Sequence, residues 1–199
     1  VGKAMPSRGI SLNRAPEPGS VAPATPTVNS LPLRRADFAS LADALDYAAQ
    51  GDTGANFYAG SGKLATVLPY RLLREQALVL ARRLLSLRLE RGGRLAIVAE
   101  TNPDFLRFFF ACQYAGLVPV ALPASVNLGG HDAYVTRLRG LLHGCGASAA
   151  MASNHFLRFL REAAEGADLA FIGTPAAFDE LPERETGLRS SGPTETAYL

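Results

Sequence analysis

Four stretches of the chain hold residue types capable of chemistry. Gly60-Ser61-Gly62-Lys63 combines small turn residues with an ammonium, the ingredients of a phosphate cradle. That cradle needs a glycine five positions before Gly62 and a hydroxyl residue after the lysine, but Phe57 and Leu64 stand there. It also needs a helix behind it, so that backbone amides face the phosphate, whereas a strand pattern follows Lys63. The segment therefore reads as a hairpin turn. The turn Glu100-Thr101-Asn102-Pro103-Asp104 follows a β-rich run and lacks the glycines of a dinucleotide site. Thr101 or Asn102 can cap a helix whose first turn holds Pro103. Because this turn lies at the carboxyl end of an expected parallel strand, where open sheets bind ligands, Thr101 and Asn102 are the candidate substrate-facing residues.

The remaining candidates favour structure over catalysis. His131, His143 and His155 are spaced by twelve, which matches no helical or hairpin ligand pattern, so no metal site is expected and the three read as surface or cap residues. The acids Asp179, Glu180, Glu183 and Glu185 surround Pro182 in a polar stretch and read as a solvated connecting loop. No serine sits in a Gly-x-Ser-x-Gly elbow. No catalytic residue is assigned.

These residues have to be positioned by a regular scaffold. Residues 1–30 contain Pro6, Pro16, Pro18, Pro23 and Pro26 among small polar residues and are expected to be a flexible, disordered leader. Ordered structure is expected from Leu31, with Asp37 capping a helix of apolar positions Phe38, Leu41, Ala42, Leu45 and Ala48, stopped by Gly51. A hairpin of Asn56–Ala59 and Leu64–Leu68 follows. From Tyr70 to Leu89 the stripe Leu73, Ala77, Leu80, Ala81 and Leu84 predicts an amphipathic helix closed by Gly92 and Gly93, with Arg74, Arg82 and Arg83 toward water. Then β-rich and helical runs alternate: 94–99, 103–115, 118–122, 132–142, 147–151, 155–164 and 169–172. Alternation of this kind predicts an α/β fold with a mostly parallel sheet and crossover helices. The run around Phe105, Leu106, Phe108, Phe109, Phe110, Cys112 and Tyr114 is apolar on nearly every side, so its helix must be packed between layers.

Composition narrows the function classes. The chain has 199 residues, 48% of them hydrophobic, enough for a substantial core. Twenty basic and 18 acidic residues leave a formal charge of +2, too little to draw in nucleic acid or an anionic membrane. No apolar run approaches the roughly 18 residues of a membrane span, and no secretory pattern opens the chain, so the cytoplasm is the default compartment. Cys112 and Cys145 lie in apolar surroundings and read as small buried hydrophobes rather than a disulfide.

The segment Phe108 to Pro123, FFFACQYAGLVPVALP, resembles the adenylate-forming superfamily, and its Cys-Gln-Tyr-Ala-Gly run resembles the fatty-acyl-AMP ligase branch. The resemblance extends through LPLRRADF at 31–38, LDYA at 45–48, LPYRLL at 68–73 and RLAIVAETNPDF at 94–105. Two departures accompany it: Gly93 where relatives commonly have aspartate, and Ala121 and Ala124 where they often have proline. Membership implies activation of a fatty acid by ATP and magnesium to an acyl adenylate, with release of pyrophosphate and transfer of the acyl group to an acyl carrier protein. It implies that residues 31–199 are the N-terminal part of the large adenylation domain, an incomplete subdomain truncated before the phosphate-binding loop expected beyond Leu199. The last residues then read as the approach to a strand, and the isolated chain is expected to be inactive without the remainder of the ligase. An acyl-CoA synthetase, which uses coenzyme A as acceptor, and a non-catalytic α/β interaction module are the alternatives.

Overall fold

A computed structural model describes residues 31–124 and 130–199; the expected leader lies outside the described residues. The first helix, α1 (Leu41–Ala48), is capped by Ser40, whose hydroxyl accepts from the Asp43 amide, and not by Asp37. Asp37 is instead paired with Arg34 at 3.3 Å. Both residue types cap well; Ser40 wins because it directly precedes the turn that buries Ala42 and Leu45.

Strands β1 (Gly54–Tyr58) and β2 (Leu64–Pro69) form the antiparallel hairpin expected there. Its turn is closed by Ala59 N–H to Lys63 O at 2.9 Å, with Gly62 at φ 79°. Lys63 thus sits in a reversal of the chain, not ahead of a helix. The next helix, α2 (Tyr70–Leu84), buries the whole expected stripe, with Leu73, Ala77, Leu80 and Ala81 fully enclosed. It stops five residues before the expected end. A 3₁₀ turn at Leu85–Leu87 leads to Arg88, which takes φ 55° and ends the helix without a glycine. Arg83 does not face water as expected, because acids distant in sequence hold it.

The main sheet is parallel, in the order β4-β3-β5-β6. Its strands are β3 (Arg94–Ala99), β4 (Val118–Pro123), β5 (Ala147–Met151) and β6 (Phe171–Gly173). The crossovers are α3 (Pro103–Ala115), α4 (Gly130–Cys145) and α5 (Leu157–Ala163), with a short α6 (Pro175–Asp179) after β6. Side chains alternate across the pleat and build two cores. Leu95, Ile97, Ala149 and Met151 meet α1, α2, α3 and α6 on one face. Ala96, Val98, Val120, Leu122, Ala150 and Ala152 meet α4 and α5 on the other. The sheet is therefore doubly wound, and α3 lies between it and α2 as its all-round apolarity demands.

The acidic stretch departs most from expectation. Asp179 ends α6 and receives Arg83 and Arg107, each at 2.9 Å, while Glu183 takes a second Arg83 nitrogen at 3.2 Å. Two of the supposed loop acids thus tie α6 and the following segment to α2 and α3. Cys112 is buried, as read; Cys145 is only half-buried, its thiol directed to the Leu142 carbonyl.

Candidate functional site

The turn after β3 runs into α3, and the turn after β5 runs into α5 on the opposite face of the sheet. Neighbouring strands whose connections diverge in this way leave a crevice at their carboxyl ends, the usual ligand site of open α/β sheets. Here that crevice has a volume of about 470 Å³ and is lined by Ala99, Glu100, Thr101, Asn102, Ala124, His155 and Phe156. Both sequence-predicted residues are in its wall.

The two differ in what the fold requires of them. Asn102 has an extended backbone, and its Oδ1 accepts from the Phe105 amide at 3.1 Å, so it and not Thr101 is the N-cap of α3. Pro103 follows at the first helical position, where a missing N–H costs nothing. Thr101 is exposed and makes no side-chain hydrogen bond among the described residues, so nothing structural explains a hydroxyl there.

Around them the chemistry is sparse. Glu100 is the one carboxylate among the described residues of the wall. The Tyr134 hydroxyl donates to the Pro123 carbonyl at 2.7 Å, and burial, reinforced by the Glu100 charge, pushes its pKa up to about 12. It remains a neutral donor at physiological pH. His155 packs edge-on against Phe156, with ring centroids 4.7 Å apart. The Ser153 hydroxyl, just past β5, is buried without a partner among the described residues. His131, away from the crevice, is paired with Glu162 at 2.7 Å. No nucleophile is joined to a base among the described residues. None of their His, Cys, Asp and Glu side chains gathers into a metal-binding group. With one carboxylate, no glycine-rich turn and no lysine or arginine among the described residues of its wall, these residues do not fit a nucleotide's phosphates or their magnesium.

Gln113 was missed entirely from sequence. It is fully buried, its backbone carbonyl accepts from Ser191 N–H at 2.8 Å, and its side-chain nitrogen donates to the Ala197 carbonyl. Only its place within the Cys-Gln-Tyr-Ala-Gly run distinguished it beforehand. Leu199, the expected approach to a strand, pairs with β4: its N–H reaches Pro119 O at 3.1 Å and its carbonyl receives Ala121 N–H at 3.2 Å. Bonds to residues two apart on the partner are the parallel pattern, so Leu199 stands in register opposite Val120.

The described residues form an open, doubly wound parallel-sheet α/β module with a crevice at its switch point. Comparison with known proteins specifies it: residues 47–195 match the model of the AMP-binding enzyme family, and the chain belongs to that family. A Caulobacter vibrioides protein assigned as an acyl-CoA synthetase is 41% identical over 176 residues, 88% of this chain and 30% of the relative. A fatty acyl-adenylate ligase structure, from work on the E. coli and L. pneumophila enzymes, superimposes with a TM-score of 0.80 at 41% identity, over 84% of this chain and 30% of that one. A benzoate CoA ligase from Burkholderia xenovorans shares the fold alone, at 22% identity and TM-score 0.59, over 79% of this chain and 31% of its own. The chain thus spans about 30% of the length of the relatives it matches. The adenylate-forming resemblance and the α/β architecture are both borne out. No helix among the described residues is long and apolar enough to cross a membrane.

Proposed function

We propose that residues 31–199 are the N-terminal part of the adenylation domain of a fatty-acyl-AMP ligase. The parent joins a fatty acid to ATP with magnesium, forms acyl adenylate and pyrophosphate, and passes the acyl group to an acyl carrier protein in the cytoplasm. The observation that carries this reading is the 41% identity, over 84% of the chain, to a fatty acyl-adenylate ligase of the same fold. The described residues contribute scaffold and one wall of the acyl or carrier-arm channel, the crevice bearing Thr101 and Asn102. Phosphate and metal chemistry belong to other parts of the ligase, so the chain alone is inactive. The equal identity to the Caulobacter acyl-CoA synthetase supports a second reading, in which coenzyme A is the acceptor.

Fatty-acid-dependent ATP–pyrophosphate exchange tests the first step. The ligase containing these residues should exchange and the 199-residue chain should not; exchange by the chain alone defeats the scaffold assignment. Acyl transfer to carrier protein against coenzyme A separates the two acceptors. For the crevice, Thr101→Val and Asn102→Asp leave folding intact, since aspartate caps as well as asparagine. Both should slow acyl transfer by about tenfold, or about 1.4 kcal/mol in the barrier, and unchanged transfer in both removes the residues from the site.

A further inference from the structure

Residues 189–199 form a strap laid across α3 and β4, and its hold is more elaborate than burial alone needs. At one end Arg91 uses its whole guanidinium fork. Nε and Nη2 grip the Glu195 carboxylate, Nη1 donates to Arg189 O at 2.8 Å, and Nη2 donates to Ser190 O at 2.8 Å. Glu195 in turn accepts the Gly192 amide at 2.6 Å, closing the strap into a turn. Gly116 opposite has φ 69° and leaves the guanidinium its space: a Cβ there would lie 2.2 Å from Nη1.

Gln113 binds the strap twice more, its backbone carbonyl accepting from Ser191 N–H and its side-chain nitrogen donating to the Ala197 carbonyl. The Tyr198 ring rests on Phe109 with centroids 5.8 Å apart. Leu199 then enters register with β4. Energetically Gln113 is a poor choice for a core position. It is fully buried, and its Oε1 finds no donor among the described residues, so an apolar side chain of the same shape would cost less to bury. A buried polar group kept at such a cost is best explained by specificity, as where a single buried amide fixes the register of a coiled coil. Register is also what a strand pairing most needs, because a slip of one residue turns every following side chain to the other face of the sheet.

We infer that Gln113 and Arg91 form a lock that sets the strap's register on β4, making Gln113 a positioning residue for the segment that begins at Leu199. The lock itself is a property of the described residues. Its functional consequence rests on the ligase reading, in which the phosphate loop is expected beyond Leu199 and its placement depends on the register fixed here.

Gln113→Met keeps the volume and removes both polar atoms. In the 199-residue chain, hydrogen exchange should show Leu199 and Ala121 amides losing about tenfold or more of their protection while β5 amides of Ala149–Met151 keep theirs. Unchanged exchange at Leu199 and Ala121, or equal loss in the strap and β5, overturns the lock. Should Gln113→Met fail to fold, Arg91→Met at the partly exposed end must give the same strap-limited loss, and its absence overturns the lock equally. In the ligase, Gln113→Met should raise the KM for ATP about tenfold with the fatty-acid KM unchanged; if both constants stay at wild-type values, the positioning role is refuted. A wild-type ligase that forms no adenylate defeats the functional reading and leaves the exchange result to decide the lock.

Discussion

Removing the Asp179 carboxylate should cost the fold about 2 kcal/mol, far more than loss of a loop acid. Asp179 receives Arg83 Nη1 at 2.9 Å and Arg107 Nη1 at 2.9 Å on each oxygen, and these bonds are all that ties α6 electrostatically to α2 and α3 among the described residues. The two arginine side chains are only 22% and 15% exposed, so solvent screens them poorly. Their Nε atoms are already buried without partners among the described residues. A charge-assisted bond in such a setting contributes about 1.5–3 kcal/mol. Two effects reduce the sum: Asp179 is itself 36% exposed, and each arginine keeps a second acid, Glu183 for Arg83 and Asp104 for Arg107. The total of about 2 kcal/mol for Asp179→Ala corresponds to a melting shift of about 4–8 °C in a chain of this size. Asp179→Asn keeps an acceptor and should lose about half as much. Thermal and urea melts measure both, and a double-mutant cycle with Arg107→Met should return a coupling of about 1 kcal/mol. A change below about 0.5 kcal/mol for Asp179→Ala, the range of ordinary surface substitutions, would refute the claim that these acids form a structural tie.

Two further outcomes follow from the strap and its neighbours. Gly116→Ala forces a Cβ into the left-handed region and against Arg91, and should destabilise by about 2 kcal/mol in a urea melt; a loss under about 0.5 kcal/mol means the helix end relaxes freely. The Glu195 carboxyl is held at about 2, below its ordinary 4.5, mainly by the Arg91 hydrogen bonds and then by the Gly192 amide. Its folded pKa lies below its unfolded one, so its stabilisation is complete above 4.5 and is lost as pH falls toward 2. Exchange at the Leu199 amide, corrected for intrinsic rate, should therefore accelerate across that window, and Glu195→Gln should abolish the dependence; an identical profile in that variant excludes Glu195 as the titrating group.

What could be read from the sequence was local. The bounds of β3, α3 and β5 were legible because short apolar runs are set off there, with Gly92-Gly93 ahead of β3 and Asn102-Pro103 opening α3. The end of α2 was not legible, since Leu85, Leu87 and Leu89 continue an apolar run and the left-handed residue that stops it is Arg88, a type that carries no stop signal. The capping residue of α1 was misread because Asp37 and Ser40 are equally suited by type, and only the position of the buried face decides between them. The missed interactions share one cause. Asp179 meets arginines 72 and 96 residues away, and the Gln113 side chain bonds a carbonyl 84 residues on, separations at which periodicity carries no information.

The same distinction separates the crevice from the strap. Thr101 and Asn102 were found through a rule about position, that ligands collect where parallel strands end, and the fold does bring them to the crevice at the switch point. Gln113 obeys no positional rule; only the contacts of the folded chain reveal it. Yet it occupies the run that gave the family resemblance its specificity, while the neighbouring positions Cys112, Tyr114 and Ala115 are accounted for by burial alone or by a bond within the scaffold, as with Tyr114 and Asp46. Packing explains why that run is apolar. It does not explain an amide at its centre. The side-chain bond from Gln113 to the Ala197 carbonyl does, and it shifts attention from the crevice toward the register of the chain at Leu199.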